Sequence, residues 1–248
     1  MSYKADNLTS LSNIDHCFFS RKNGVSIGVC EGLNIGFLSD DKEAVLENRK
    51  IVADYFNADL SLLIQKHTSD IVYIDAAEQD KTVADGFVTN KKNIILGIKT
   101  ADCVPILFAD EKNQIIGACH AGWRGAFSGV IKNTISKMIE IGADRKNIVA
   151  AIGPSICQAS YEVNEDFYNE FISQSENNKK YFTSSIKTYH FMFNLPQYCH
   201  DLLNAEGINN ISISNIDTYQ NRDYYSYRRS THENEIGCGR LVSAIVIK

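Results

Sequence analysis

Three stretches of the chain end alike. Leu62 to His67, Gly97 to Cys103 and Ile115 to His120 each run apolar and then stop at a histidine or cysteine beside a change of direction. Two imidazoles and one thiolate make a sound donor set for Zn2+, with a fourth position left for water or substrate. An ion held there would keep the thiol deprotonated and acidify a bound water, giving a nucleophile near neutral pH. Asp85, in Ala84-Asp85-Gly86, and Asp102, next to the cysteine, are candidate acceptors for the imidazole N–H groups. The three donors are distant in sequence, so only the fold can bring them together. The competing reading is a buried structural thiol and two ordinarily satisfied histidines. His232, beside Glu233 in a polar loop, is a further histidine that could approach the same mouth.

A second chemistry uses Cys103 as a covalent nucleophile, His120 as its base and Asp102 or Asp85 as orienter. Side chains alternate along a strand, which puts Asp102 and Cys103 on opposite faces and makes Asp102 an awkward partner. A third group of residues suits anions. Trp123-Arg124 between Gly122 and Gly125 offers an aromatic surface and a guanidinium near a helix start, a pairing fit for phosphate. The plainer alternative is a tryptophan packed on the helix with an arginine at the rim. Residues 224–229, read as a strand, place Tyr225, Tyr227 and Arg229 on one face and Tyr224, Ser226 and Arg228 on the other, so one face can join a pocket. Gly122 to Gly125 has neither the dinucleotide-binding nor the Walker spacing, which excludes NAD and nucleoside-triphosphatase readings.

The elements that must position these groups centre on Leu96 to Gly125: an apolar strand, a second apolar run at Val104 to Ala109, a turn around Glu111 to Asn113, a strand and a glycine-flanked corner. One helix then runs to about Ile141, with Phe127, Val130, Ile131, Ile135, Met138 and Ile139 at three- and four-residue spacing. Asp40 or Asp41 caps a helix over roughly 42–57, on which Asn48 and Arg49 read as solvated face residues. Further strands are expected near 61–65, 71–74, 87–89, 94–98, 148–152, 211–213 and 241–247. Helices are expected at 164–173 and 191–204, the latter with Pro196 near its first turn. Residues 173–180 form a polar excursion. With no repeat and no linker, the pattern is one mixed α/β domain over 1–248.

Composition narrows the function classes. Lys+Arg number 25 against 30 Asp+Glu, a net charge of −5, and no basic block stands out, which argues against nucleic acid while allowing a local pocket for one phosphate. The seven cysteines are scattered without a CxxC, as in a reducing compartment. No apolar run approaches ~18 residues and no signal-like segment opens the chain, so neither membrane span nor secretion is expected and the location expected is cytoplasmic.

Several local motifs together carry a resemblance: Ser20 to Ser26, Leu33-Asn34, Asn48-Arg49, the QKHTS around His67, ADGFVT, TADCVPILFAD, HAGWRG, IGPSIC, Tyr161 to Val163, SYRR and Gly239-Arg240. Over nearly its whole length the sequence resembles the laccase-domain or polyphenol oxidoreductase family, also called peptidoglycan-editing factors and now regarded as zinc-dependent purine nucleoside phosphorylases. The resemblance implies an α/β/β/α sandwich with mixed sheets and zinc on His67, Cys103 and His120. It also implies purine nucleosides and inorganic phosphate as substrates: phosphorolysis of adenosine, inosine, guanosine and methylthioadenosine, and deamination of adenosine. For that chemistry Arg49, Arg124 and Arg229 are the candidates to hold phosphate, Tyr227 a candidate substrate contact, and Asp85 or a bound water the candidate proton source. Two departures stand out: Thr68 where a glycine often follows the histidine, and Asp217-Thr218 in place of Cys-Thr. The oxidase name fits the residues poorly. Three scattered ligands make one mononuclear site, the chain has 6 histidines, and no methionine lies near these loops to serve copper. The other readings are an enzyme editing a peptidoglycan precursor, a copper-dependent polyphenol oxidase and a non-catalytic zinc-stabilised interaction protein. Monomer and homodimer are both left open.

Overall fold

The computed structural model describes residues 2–248. Two sheets stack face to face. The first, in spatial order, contains β1 (Ile14–Phe18), β14 (Leu241–Ile247), β6 (Ile94–Thr100), β2 (Asp59–Ile64) and β4 (Gln79–Val83). The second contains β13 (Asn210–Ile213), β9 (Val149–Ile152), β7 (Val104–Asp110), β8 (Ile115–Ala121), β5 (Gly86–Thr89) and β3 (Ile71–Tyr73). Both mix parallel and antiparallel pairs. A small sheet of β10 (Glu162–Asn164), β12 (His190–Phe193) and β11 (Phe182–Ser184) lies beyond them.

The continuous apolar runs are explained by burial on both faces. Along β7, Leu107 and Ala109 join Leu96, Ile98 and Ile245 of the first sheet in the inter-sheet core, whereas Ile106 and Phe108 point to the helices. That outer layer holds α4 (Val130–Glu140), α5 (Glu165–Gln174) and α6 (Leu195–Ala205). On the far side of the first sheet, Val52 and Phe56 of α2 (Lys42–Phe56) pack on Leu60, Leu62, Ile95 and Val242. The result is the expected α/β/β/α sandwich of mixed sheets. Two short helices, α1 (Asp6–Thr9) and α3 (Trp123–Ser128), and α7 (Tyr227–His232) complete the set. No helix among the described residues is long and apolar enough to cross a membrane.

Several local expectations are corrected. Residues 224–229 are not a strand: Tyr224 and Tyr225 are buried in a loop, and Ser226 caps α7 by accepting the Arg229 N–H at 3.1 Å. Phe191 to Phe193 is strand, and the helix begins only after Asn194, whose side chain accepts from Gln197 N, with Pro196 in the first turn. The single helix expected after Trp123 is two, broken at Gly129, where φ is +97°. Asn48 and Arg49 are 0% and 4% exposed rather than solvated. They occupy the same face of α2 as Val45 and Val52, and Asn48 earns its burial by donating to Ser26 Oγ and Asn34 O and accepting from Val25 N.

His16 on β1 gives a pH test of the fold. Its Nε2 accepts the Ala5 N–H at 2.8 Å, and it is 1% exposed. Burial lowers its pKa from 6.5 to about 4, with Lys4 adding to the effect and Asp15 opposing it. The folded state therefore refuses a proton that the unfolded chain takes up below about pH 6.5, and stability falls as pH drops through that window toward about 4. Denaturant titrations across this range should show His16→Gln, which keeps an acceptor but cannot titrate, losing less stability than the parent by up to about 3 kcal/mol. Parallel curves would remove His16 as the cause.

Candidate metal centre and its cavity

Strand register does what the sequence spacing cannot. In the β7–β8 pair, Val104 faces Ala121 and Pro105 faces His120, so Cys103, just before β7, comes level with the corner after β8. In the β5–β8 pair, Gly86 faces Cys119, which sets Asp85 beside His120; the His120 N–H donates to Asp85 O at 2.7 Å. In the other sheet β2 runs parallel to β6, with Leu62 beside Gly97, and Gln65 clasps the backbone of Lys99 through both its amide atoms. The chain leaving β2 thus delivers His67 to the same end of the sandwich.

There the donor atoms of His67, Cys103 and His120 lie within 4.8 Å of one another. The two imidazole rings meet edge to face with centroids 4.7 Å apart. A Cβ on Gly122 would fall 2.6 Å from His67 Nδ1 and 3.1 Å from Cys103 Sγ, so the corner must be glycine for the three side chains to converge.

Asp85 underlies the cluster. Fully buried, its carboxylate accepts the backbone N–H groups of Lys66, His67 and Thr68 at 2.9, 2.9 and 2.7 Å, the Thr68 hydroxyl at 3.0 Å and His120 Nδ1 at 2.8 Å. Burial alone would raise its pKa; His120 and the Thr68 and Lys66 N–H groups outweigh it and hold the group at about 2. An ionised acceptor on Nδ1 makes that nitrogen the donor and leaves the Nε2 lone pair of His120 for the cluster. Its contacts hold both the His67 segment and the His120 ring in place. Burial also works against a charged His120, but the Cys103 sulfur and Asp85 carry its pKa up to about 9. A cation bound there would replace that proton.

The other candidates fall into place around this centre. Asp102 does not serve an imidazole. It sits in a bend with φ +88°, not in a strand, and accepts from Thr218 Oγ1 and Arg228 N, both at 2.7 Å. Thr68 needs no glycine: the positive φ falls on His67 at +60°, and the threonine hydroxyl adds a bond to Asp85. Thr218, common to both patterns, donates its hydroxyl to Asp102, and the departing residue, Asp217, accepts from Ser160 Oγ at 2.6 Å. His232 is bound to Tyr219 Oη at 3.0 Å and does not join the cluster.

The three donors line one cavity of about 700 Å³. Its apolar wall includes Phe37, Trp123, Tyr161 and Tyr227; its cations include Arg49, Lys99, Arg228 and Arg240. Arg49 donates to Ile35 O and to Gln79 Oε1 and lies over the Phe37 ring at 4.2 Å. Arg124 is exposed and not among the lining residues; its guanidinium stacks 4.3 Å from the Trp123 ring, and its charge is felt by His67 and Tyr161 at the cavity. Arg229 does not reach the cavity. It is buried, and its guanidinium donates to the carbonyls of Thr218, Tyr219 and Tyr224. The helical turn of α7 presents its neighbour Arg228 instead, an exchange that a period of two could not anticipate. Lys99, Arg240, Tyr161 and Asp80 were not singled out for the site from sequence, and Arg228 stood there only as part of one of two alternative faces. Arg240 and Tyr161 lay inside motifs of the resemblance, but no local spacing marked Lys99 or Asp80.

The donors suit zinc: one soft thiolate, two imidazoles, an oriented second nitrogen and an open side on the cavity. They do not suit a multicopper centre. Among the described residues no other group of three such ligands forms, Met138 packs beneath Gly117 in the core and Met192 lies in the small sheet. Gly122→Ala should cut bound metal to less than half per chain by elemental analysis while the circular dichroism stays native. Asp85→Asn should weaken metal affinity by about 10- to 100-fold in a chelator competition. Unchanged metal binding in both variants would refute this geometry.

Residues 15–248 match the family described as multi-copper polyphenol oxidoreductase laccase. The chain is 43% identical over 212 residues to a purine nucleoside phosphorylase of Rickettsia prowazekii, covering 85% of this chain and 88% of that protein. It is 30% identical over 259 residues to a purine nucleoside phosphorylase of Bacteroides thetaiotaomicron, covering 98% and 94%. The crystal structure of a Neisseria meningitidis protein superposes with a TM-score of 0.87 at 29% identity, covering 100% and 99% of the two chains. With the sandwich, the His–Cys–His cluster and this breadth of similarity in agreement, the chain belongs to the laccase-domain family, of which the Rickettsia prowazekii and Bacteroides thetaiotaomicron relatives carry the name purine nucleoside phosphorylase.

Proposed function

We propose that this protein is a zinc-dependent purine nucleoside phosphorylase acting on adenosine, inosine, guanosine and methylthioadenosine, with additional adenosine deaminase activity. The observation that carries the reading is the meeting, in one cavity, of a three-donor metal cluster, aromatic walls and several cations. The names of the relatives point the same way. Zinc on His67, Cys103 and His120 would supply a Lewis acid and an acidified water at the cavity floor.

The chain's own groups do the rest. Phe37, Trp123, Tyr161 and Tyr227 offer flat surfaces for a purine, whose faces stack without regard to substituents and so admit several bases. Burial pushes the Tyr161 phenol pKa up, with the Cys103 sulfur adding to it; it stays a neutral hydrogen-bond donor for the base. Arg49 and its neighbouring cations draw in phosphate and neutralise it while an oxygen attacks C1′ and the C1′–N9 bond breaks, a step that gains chiefly from orientation. Deamination exchanges the C6 amino group for oxygen from water and releases ammonia. Asp85 keeps the His120 tautomer and the His67 loop fixed in both reactions.

Adenosine incubated with phosphate should yield adenine and ribose 1-phosphate, and without phosphate inosine. His67→Ala, Cys103→Ala and His120→Ala should each lose both products by about 100-fold or more, with metal content falling in parallel. Full activity from metal-free protein would reject the assignment.

A further inference from the structure

Away from the metal cluster, the cavity wall holds a charge arrangement that neither fold nor cluster requires. The Lys99 ammonium on β6 contacts the Asp80 carboxylate, and the same carboxylate lies 2.6 Å from Arg49 Nη2. The Lys99 and Arg49 side chains are only 16% and 4% exposed. Burial depresses the Lys99 pKa despite the Asp80 contact, and the nearness of Arg49 and Arg240 lowers it further. Two cations therefore share one carboxylate, with the Arg240 charge close enough to depress Lys99 further, and buried cations without enough counter-charge are costly unless an anion joins them.

Donor capacity is left over. An ammonium has three N–H donors and Asp80 engages one side of it. Arg240 gives Nη1 to Cys238 O and Gly239 O, at 2.8 and 3.0 Å, and no acceptor among the described residues takes its Nε or Nη2. Those two nitrogens form the edge of a guanidinium that grips an oxyanion through paired bonds.

Asp80 is held loosely for a residue between two cations. Its Oδ2 is buried and, although close to Arg49, makes no well-aligned hydrogen bond. Its φ of +51° lies in the left-handed region, and β4, the edge strand that carries it, pairs with β2 through a shifted register. A carboxylate held by one hydrogen bond from Lys99 and one unaligned ion pair with Arg49, on an irregular edge, can turn aside when an oxyanion takes over those donors.

We propose that Lys99, Arg49 and Arg240 form a subsite for a tetrahedral oxyanion, inorganic phosphate, and that the Asp80 carboxylate is the counter-ion this oxyanion displaces. The choice of phosphate rests on the phosphorolysis reading above; the subsite itself rests on the charges. It also replaces Arg124 and Arg229 as phosphate holders.

The test uses the full-length, metal-loaded protein. Lys99→Met and Arg240→Lys should each raise the KM for phosphate by about tenfold or more, the loss expected for a charge-assisted contact, with metal content and the nucleoside KM held within about twofold. Asp80→Asn should move the phosphate KM the other way, downward, because a competitor has been removed. A purely structural ion pair would instead raise it, and that result would overturn the displacement. Calorimetric titration with inorganic phosphate reads binding without turnover. Lys99-dependent binding in a protein that shows no phosphorolysis would sustain the subsite and sink the functional reading. Phosphorolysis with an unchanged phosphate KM in Lys99→Met would sink the subsite alone. Titration with AMP separates a free oxyanion from a nucleotide's phosphate: Lys99-dependent binding of AMP but not of inorganic phosphate would overturn the assignment.

Discussion

The buried Asp85 carboxylate is the contact on which this end of the molecule depends. Its acceptors take three consecutive N–H groups from the segment leaving β2, in one sheet, and the imidazole of His120 from β8, in the other. It is therefore a tie between the two sheets as well as the support of the cluster. A buried charge this well hydrogen-bonded is stable as it stands, whereas removal of its partners or of the charge leaves groups that water cannot reach. The same ionised state fixes His120.

Around that tie the backbone adopts left-handed conformations in a few non-glycine residues, among them His67, Asp80 and Asp102. All three border the cavity. Such positions persist where surrounding bonds over-determine them, and they gather where side chains must be aimed rather than merely packed. His67 is aimed by Asp85, and Asp102 by Thr218 and Arg228. Gly122 makes the complementary contribution: it offers no Cβ where one would collide with His67 and Cys103.

The family's name speaks of several coppers and of phenol oxidation, while the donors gather at one place, with one thiolate and two imidazoles. The cavity they line combines flat aromatic surface with several cations. Fold similarity alone would not decide between these chemistries, because one fold supports many sites.

How much of this was legible beforehand follows from the range over which each signal acts. Period and apolar content marked β7, β8, β9, α2 and β14, because burial on one or both faces writes itself into adjacent residues. Residue type and placement at the ends of apolar runs picked out His67, Cys103 and His120 as donors. Asn48 and Arg49 were misread because polar side chains at i+3 and i+4 from Val45 look solvated until a loop is found against them, although their register with Val45 and Val52 was already visible. The segment at 224–229 was misread because aromatic alternation imitates a strand, and only the Ser226 cap and the burial of Tyr225 turn the chain into α7. The convergence of three donors, the choice of Asp85 over Asp102 and the meeting of Lys99 with Asp80 were decided by strand register between distant segments, and the exchange of Arg229 for Arg228 by the helical turn of α7. The sequence alone determined which groups were present and which runs had to be buried; proximity across the sandwich is a property of tertiary pairing, and no local pattern carries it.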